Sequence, residues 1–301
     1  MLILNNIPTI MMIVAPILIT AIGGMICEKS GVVNVALEGL MSIGACTAAC
    51  VHYLLEANGF GRSSIAIALL SAAVVSGLFS LIHGLASIDL KAEQTISGTG
   101  INLLADGVTI FACQILFKAD RSKMFKAGML PDRLGFYPTF YIAIVVVLLS
   151  WFMLYKTPFG MHLRACGEHP AAADSVGINV RRTRYIGVLI SGLLGGLAGG
   201  CVVLTQTIQF TSNLINGRGF IALAAVAFGR WNPWGVTGAA LLFGAAQALS
   251  VLSINFSALA AFPSEVFNIL PYLVTLIALV VFSGRDYAPQ ASGKPYNKSS
   301  S

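Results

Sequence analysis

Charge is scarce in this chain. Of 301 residues, 10% are Asp, Glu, Lys or Arg and 56% are hydrophobic, with a mean hydropathy of +0.83. A soluble domain carries about 25% charged residues. A chain this apolar could not cover a water-facing surface, so a large soluble core is excluded. Short strands of alternating polarity are also missing, which excludes a β-barrel. Long apolar runs are present instead. They point to an all-α fold, a polytopic transmembrane helical bundle with membrane lipid as its solvent.

The signatures of chemistry are missing too. No G-x-x-x-x-G-K-[ST] occurs; the nearest string, Ser292-Gly293-Lys294-Pro295, has no hydroxyl residue after its lysine and has Ala288 where the first glycine belongs. The chain therefore has no phosphate-cradling loop. The six cysteines (Cys27, Cys46, Cys50, Cys113, Cys166, Cys201) are dispersed, mostly in apolar runs, and none forms a C-x-x-C pair. Such residues behave as small hydrophobes, and neither metal nor redox chemistry is indicated. His52, His83, His162 and His169 are scattered. No cofactor and no catalytic role is expected. The net charge of +6 comes from basic residues flanking apolar runs, as membrane orientation requires, so nucleic acid is not an expected partner. Two glycine strings, Ile96-Ser-Gly-Thr-Gly100 and Ser191-Gly-Leu-Leu-Gly-Gly196, lie at or within apolar runs and are read as packing glycines.

A helix needs about 20 apolar residues to cross a bilayer core. Runs of that kind fall at 7–26, 34–54, 64–86, 99–117, 137–155, 185–207, 235–253 and 264–282, and a shorter one at 219–229 reads as a half-helix or re-entrant segment. The expectation is a bundle of eight to ten helices, one membrane domain over 1–283 and a short polar tail over 284–301. The tail is rich in Pro, Ser and Lys and reads as disordered. The first run has no basic residue ahead of it and no A-x-A site after it, so it reads as a retained helix. Placing the tail and the 157–184 segment in the cytoplasm puts eleven basic residues inside (Lys29, Lys91, Lys156, Arg164, Arg181, Arg182, Arg184, Arg230, Arg285, Lys294, Lys298) and seven outside, with the N-terminus outside. The 118–133 loop, with five basic residues, runs against that bias.

Four features stand out. Residues 157–184 form a polar island in which Pro170 suits a first helical turn, Ala171–Ala173 propagate it and Gly177 can cap it. This predicts a helix of about seven residues, roughly 10 Å long, either a docking element or an ordinary interfacial loop. Gly192, Gly196 and Gly200 make a smooth stripe suited to close helix approach, within the chain or against another subunit. Asn34 and Glu38 are spaced i, i+4 and so share one helix face, and Asn102 and Asp106 repeat the spacing; polar groups at membrane depth are costly. Each pair reads as a polar translocation path or as buried hydrogen-bond partners, with the structural role favoured for Asn34 and Glu38. Residues 217–235 place a short apolar core between Arg218 and Arg230, with Trp231 and Trp234 at an interface. Irregular backbone there must line protein or a water cavity, so it reads as part of a path or as a packed short helix.

Three motifs together carry a resemblance. They are Glu28-Lys-Ser-Gly-Val-Val-Asn-Val-Ala-Leu-Glu-Gly-Leu-Met41 running on to Gly44-Ala45, then Gly160-Met-His-Leu-Arg-Ala-Cys-Gly-Glu-His-Pro-Ala-Ala-Ala-Asp-Ser-Val-Gly-Ile178, then Gly217-Arg-Gly-Phe-Ile-Ala-Leu223 with Phe228-Gly-Arg-Trp-Asn-Pro233. In this order the chain resembles the permease subunits of bacterial ABC importers of the branched-chain amino-acid/ribose type, nearest the simple-sugar and nucleoside branch. The resemblance implies a location in the bacterial inner membrane and three partners: a cytoplasmic ABC ATPase, a second permease subunit (identical or related) and an extracytoplasmic substrate-binding lipoprotein. It implies a cytoplasmic coupling helix that docks on the ATPase, with Arg164, Gly167, Glu168, Pro170, Ala171 and Gly177 around it. The solute would be small and polar, a nucleoside first and a simple sugar second. The competing class is a secondary transporter driven by an ion gradient, which would use Glu38 or Asp106 as an ion site.

Overall fold

The computed structural model describes residues 6–252, 273, 276 and 287–296. Its helices are α1 (Ile7–Lys29), α2 (Leu37–Ala57), α3 (Ser63–Gly84, continued by a π turn over Leu85–Asp89), α4 (Gln94–Phe117), α5 (Pro138–Lys156), α6 (Pro158–Glu168), α7 (Pro170–Ser175), α8 (Val180–Gln206), α9 (Arg218–Phe228) and α10 (Pro233–Leu252). Among the described residues there is no strand, and seven helices are long and apolar enough to cross a membrane: α1, α2, α3 with its π turn, α4, α5, α8 and α10. The run expected to cross at 264–282 lies outside the described residues, apart from Leu273 and Leu276.

Helix starts follow local chemistry. Proline stands in the first turn of α1, α5, α6 and α7, where its missing N–H has no partner to lose. The Glu93 carboxylate caps α4 by accepting from the amides of Thr95 and Ile96 at 2.9 and 2.7 Å. Those bonds hold its pKa below the usual carboxylate range. Asn179 caps α8 by accepting from the Arg182 amide at 2.9 Å.

The bundle is built around α8, which packs on α1, α2 and α3. The glycine stripe makes this possible, and it works within the chain. A Cβ at Gly192 would fall 2.3 Å from Ser80 Oγ, and one at Gly196 would fall 2.3 Å from the Ala72 carbonyl, so both glycines seat α8 on α3. At Gly200 the nearest atoms are Leu69, Ala72 and Ala48 side chains. On the adjoining face a Cβ at Gly199 would fall 1.9 Å from the Met41 carbonyl, and one at Gly44 2.3 Å from the Gly196 carbonyl, so α2 and α8 touch backbone to backbone. The outer helices present Leu70, Leu103, Phe111 and Leu149, all more than half exposed, as an apolar exterior suited to lipid or another membrane chain.

The ends of the bundle are covered. At one end residues 122–129 hydrogen-bond along 204–210, through Ser122 N to Phe210 O (3.1 Å), Phe125 N to Ile208 O (3.0 Å) and Met129 N to Leu204 O (2.7 Å). Glu56 adds bonds from the amides of Lys126 and Ala127, both 2.8 Å. The other end gathers α6, α7 and the tail. Residues 287–296 are not a disordered tail. The Ala291 amide donates to Gly167 O at 2.8 Å, Arg184 Nη1 donates to Lys294 O at 3.1 Å, and Arg230 sits 4.6 Å from the Tyr287 ring centre. Composition suggested disorder, but the Gly167 carbonyl and the Arg184 and Arg230 side chains hold this stretch of it.

The closest backbone approaches give a direct test. Gly199→Val must push α2 away from α8, and overpacking of this kind costs about 1–3 kcal/mol or more. Gly100 has nothing within 4 Å of its Cβ position, so Gly100→Ala is expected to leave stability unchanged or raise it by up to about 1 kcal/mol. Thermal unfolding of the purified chain in detergent separates the two. If both variants melt like the parent, the close crossing of α2 and α8 is not what holds the bundle.

Candidate functional site

The chain leaves the helical conformation between α1 and α2. Residues 30–36 are irregular, and this corrects the expectation that Asn34 and Glu38 share a helix face: Asn34 precedes the first turn of α2, and only Glu38 lies in the helix. Gly31, at φ +93°, makes the break possible. The freed backbone is satisfied by side chains from other helices. Gln94 Oε1 accepts from Val33 N at 2.6 Å, a His83 ring nitrogen lies 3.0 Å from Val33 O, and Asn102 Nδ2 donates to Val35 O at 3.0 Å. Asn34 accepts from Ala36 N at 3.1 Å and donates to Ser191 Oγ on α8 at 2.8 Å. Asn102 Oδ1 also accepts from Gly39 N at 2.8 Å, so both ends of its amide are committed to backbone. Asp106, one turn along α4, is exposed. The expected pair Asn102 and Asp106 therefore divides into a structural group and a free-facing carboxylate.

Glu38 organises the short helix α9. Its two oxygens accept from Gly217 N and Gly219 N, each at 2.7 Å. An anion at a helix N-terminus satisfies orphan amides and opposes the positive end of the helix dipole. Both glycines are needed. Gly217 has φ +82°, and a Cβ at Gly219 would fall 2.4 Å from Glu38 N. Between them, Arg218 donates to Leu214 O at 3.0 Å and to Gln206 Oε1 at 2.8 Å. With 11 residues, α9 is about 16 Å long, roughly half of a 30 Å hydrocarbon core. Its far end is pinned as well: Trp231 Nε1 donates to Glu28 Oε2 on the last turn of α1 at 2.6 Å. Trp231 is therefore not simply a belt residue, whereas Trp234 is 54% exposed.

The polar island folds into two helices rather than one. Sequence reasoning placed a helix from Pro170 toward Gly177, and α7 is there over six residues. It missed α6, which starts directly after α5. The signal was present in Thr157-Pro158: Thr157 Oγ1 accepts from Gly160 N at 3.2 Å, and Pro158 opens the first turn. The residues expected to couple to an ATPase then separate by environment. Arg164 lies over the Tyr155 ring at 4.9 Å, and its Nε donates to Gly160 O at 3.3 Å. Gly167 is buried, with its Cβ position 2.3 Å from Lys29 O. Glu168, Ala171 and Gly177 are exposed, Pro170 is half-buried, and Val176 beside them is 75% exposed. Burial pushes the Cys166 thiol above its ordinary range, which keeps it neutral in this seat. Arg181 pairs with Asp89 through two bonds of 2.6 and 2.8 Å, and Tyr185 donates to Asp89 at 2.7 Å, tying α8 to the turn after α3.

A half-helix held at both ends inside a bundle, with a ledge of exposed small residues at one end, suits a transport subunit. The model of the family described as "Branched-chain amino acid transport system / permease component" matches residues 6–279. The chain belongs to that permease family. Among its relatives, the guanosine ABC transporter permease protein NupQ of Bacillus subtilis is 44% identical, over 97% of this chain and 96% of that one. The nucleoside ABC transporter permease protein NupC of Lactococcus lactis is 37% identical, over 98% and 100%. A putative glucose ABC transporter permease, TsgC13 of Haloferax volcanii, is 31% identical over 80% and 75%. This permease is a multi-pass protein of the bacterial inner membrane. It is the membrane component of an ABC system, with ATP hydrolysis on a separate ATPase and solute delivered by a binding protein.

Removing the Glu38 carboxylate tests the α9 anchor. Glu38→Ala leaves two amides without acceptors, at about 1–3 kcal/mol each, whereas Glu38→Gln keeps one acceptor and is expected to lose less. Thermal unfolding in lipid nanodiscs should rank parent, Gln, Ala in falling stability. An alanine variant as stable as the parent would mean that α9 is held by something other than Glu38.

Proposed function

We propose that this permease imports nucleosides, and that the α6–α7 ledge is its coupling surface for the ATPase. The substrate class rests on the 44% and 37% identical relatives, whose names specify guanosine and nucleosides; a simple sugar is the second class, from the more distant glucose-type relative. The observation that carries the coupling assignment is the exposure of Glu168, Ala171, Ala172, Ser175, Val176 and Gly177 on the face that also collects Lys29, Asp89, Arg181 and the tail. A helix presenting Ala171, Ala172 and Val176 to solvent offers a small apolar knob that a partner's groove can cover. In this reading the chain pairs with a second permease subunit, identical or related. The solute passes between the two, beside α9 and the exposed Asp106 of α4. The fold is then a bundle of eight to ten membrane helices, the seven long ones and the half-helix α9 among them, with 1–283 as one membrane domain and 284–301 as its cytoplasmic tail.

An ion-gradient transporter would need free carboxylates at membrane depth. Glu38 is engaged by two backbone amides, so of the two carboxylates named for that alternative Asp106 remains.

The assignment is tested in the assembled transporter with radiolabelled guanosine. Glu168→Ala, Pro170→Ala and Gly177→Val are each expected to reduce uptake and substrate-stimulated ATP hydrolysis by about tenfold, the factor that 1.4 kcal/mol of lost docking energy would give, with the protein still in the membrane. Normal uptake in all three removes the coupling assignment. Uptake that continues without ATP, or that ignores nucleosides as competitors, removes the importer or the substrate class respectively.

A further inference from the structure

Three of the six cysteines, read from sequence as dispersed small hydrophobes, converge in space. Cys46 and Cys50 sit one turn apart on α2 and face Cys113 on α4. The Cys46 sulfur is 4.0 Å from that of Cys50 and 3.8 Å from that of Cys113, and all three sulfurs lie within 4.8 Å of one another. All are buried, at 5%, 7% and 0% exposure. Among the described residues this is the one group of three or more potential metal ligands gathered this tightly.

The spacing is informative. Thiolate sulfurs bind d10 metals at about 2.3 Å. Three sulfurs placed trigonally around one such ion are then about 4.0 Å apart, as simple geometry gives from that bond length. Two of the three separations here already have that value. The donor set selects further. An all-sulfur site favours soft ions over Mg2+ or Ca2+. Structural Zn2+ is almost always four-coordinate; the cluster has three sulfurs, and the Thr109 carbonyl, 3.8 Å from Cys46 Sγ, is a hard neutral donor. Low charge suits the apolar surroundings, because burying net charge is expensive. Each thiolate formed releases one proton, so a monovalent ion that displaces one proton leaves the site neutral.

We propose that Cys46, Cys50 and Cys113 form a trigonal site for a soft monovalent metal ion of the Cu(I) class, joining α2 to α4. Cys113 lies four residues before the end of α4, about 6 Å along the helix, which gives an ion a short route from that end of the bundle. No oxidation or reduction is involved: the ion enters as Cu(I), one thiol loses its proton to become the thiolate, and the other two sulfurs bind as neutral thiols, so the site carries no net charge.

The experiment uses the full chain in lipid nanodiscs under argon, titrated with Cu(I) against a competing chelator. The parent is expected to retain about one copper per chain, and X-ray absorption to show about three sulfurs near 2.3 Å. Cys113→Ser, which leaves only two thiols, should lose at least about tenfold in affinity, and Cys46→Ser/Cys50→Ser/Cys113→Ser should retain none beyond background. Cys27, Cys166 and Cys201 remain in these variants as internal controls. The absorption spectrum of the parent needs no variant to fold. The proposal is overturned if the parent holds no copper against the chelator, if the triple variant holds as much as the parent, if the sulfur shell contains fewer than three atoms, or if equimolar Zn2+ displaces the copper.

Discussion

A backbone that leaves the helix inside an apolar bundle must find every hydrogen bond elsewhere, because no bulk water is there to supply one. Residues 30–36 impose that constraint here. Their donors and acceptors are met by His83 from α3, Gln94 and Asn102 from α4, and Asn34 bridging to Ser191 on α8. A seven-residue irregular stretch thus recruits polar groups from α3, α4 and α8 and fixes where they stand. The polar residues in the spans are therefore largely accounted for by backbone need. The glycine contacts of α8 do the complementary work, bringing α2 and α3 close enough for those bonds to form.

The same stretch explains why two distant motifs belong together. Glu28 lies in the last turn of α1 and Glu38 in the first turn of α2. Glu38 holds the first amides of α9, and Glu28 holds Trp231 just past its last turn. The motif at 28–41 and the motif at 217–233 are thus one structural unit, a clamp and the half-helix it grips. Gly217 and Gly219 serve the clamp at the first end. At the second, a Cβ at Gly229 would fall 2.3 Å from Val236 N, so the turn into α10 closes with no space left for a side chain.

Much of this was legible in the sequence, and the failures have specific causes. Long apolar runs located the crossing helices that the structure describes, and prolines marked several starts. The short run at 219–229 announced α9 because its apolar length is half of what a bilayer requires. Reading Asn34 and Glu38 as one face failed because i, i+4 spacing means proximity only if the helix is continuous, and Gly31 breaks it. Helix α6 was missed because a polar segment between apolar runs looks like loop unless its cap, Thr157-Pro158, is weighed. The tail was misjudged because composition measures what a segment can bury by itself, not what backbone partners await it. The cysteine cluster was out of reach: Cys46 and Cys113 are brought together only by the crossing of α2 and α4.

The clamp also bears on how a docking event at one end of the bundle would reach the half-helix. Gly167 ends α6 against the backbone of α1's last residue, its Cβ position 2.3 Å from Lys29 O and 3.3 Å from Gly31 N. There is no side chain between them to absorb a shift. Lys29 and Gly31 are where α1 gives way to the irregular stretch, and that stretch leads in seven residues to Glu38. If α7 is pushed by an ATPase, one path of packed atoms to α9 runs from Gly167 through Lys29 and Gly31 to the carboxylate that caps it, and another from Lys29 to its neighbour Glu28 and so to Trp231. The tail bond from Ala291 to Gly167 O closes over the same point. A rigid contact at a place where the neighbouring backbone is irregular is a better lever than one against a continuous helix, because the irregular segment can change its dihedrals without breaking an i to i−4 ladder. If the α6–α7 ledge is the docking surface proposed above, that is a physical reason for it to touch the irregular stretch directly.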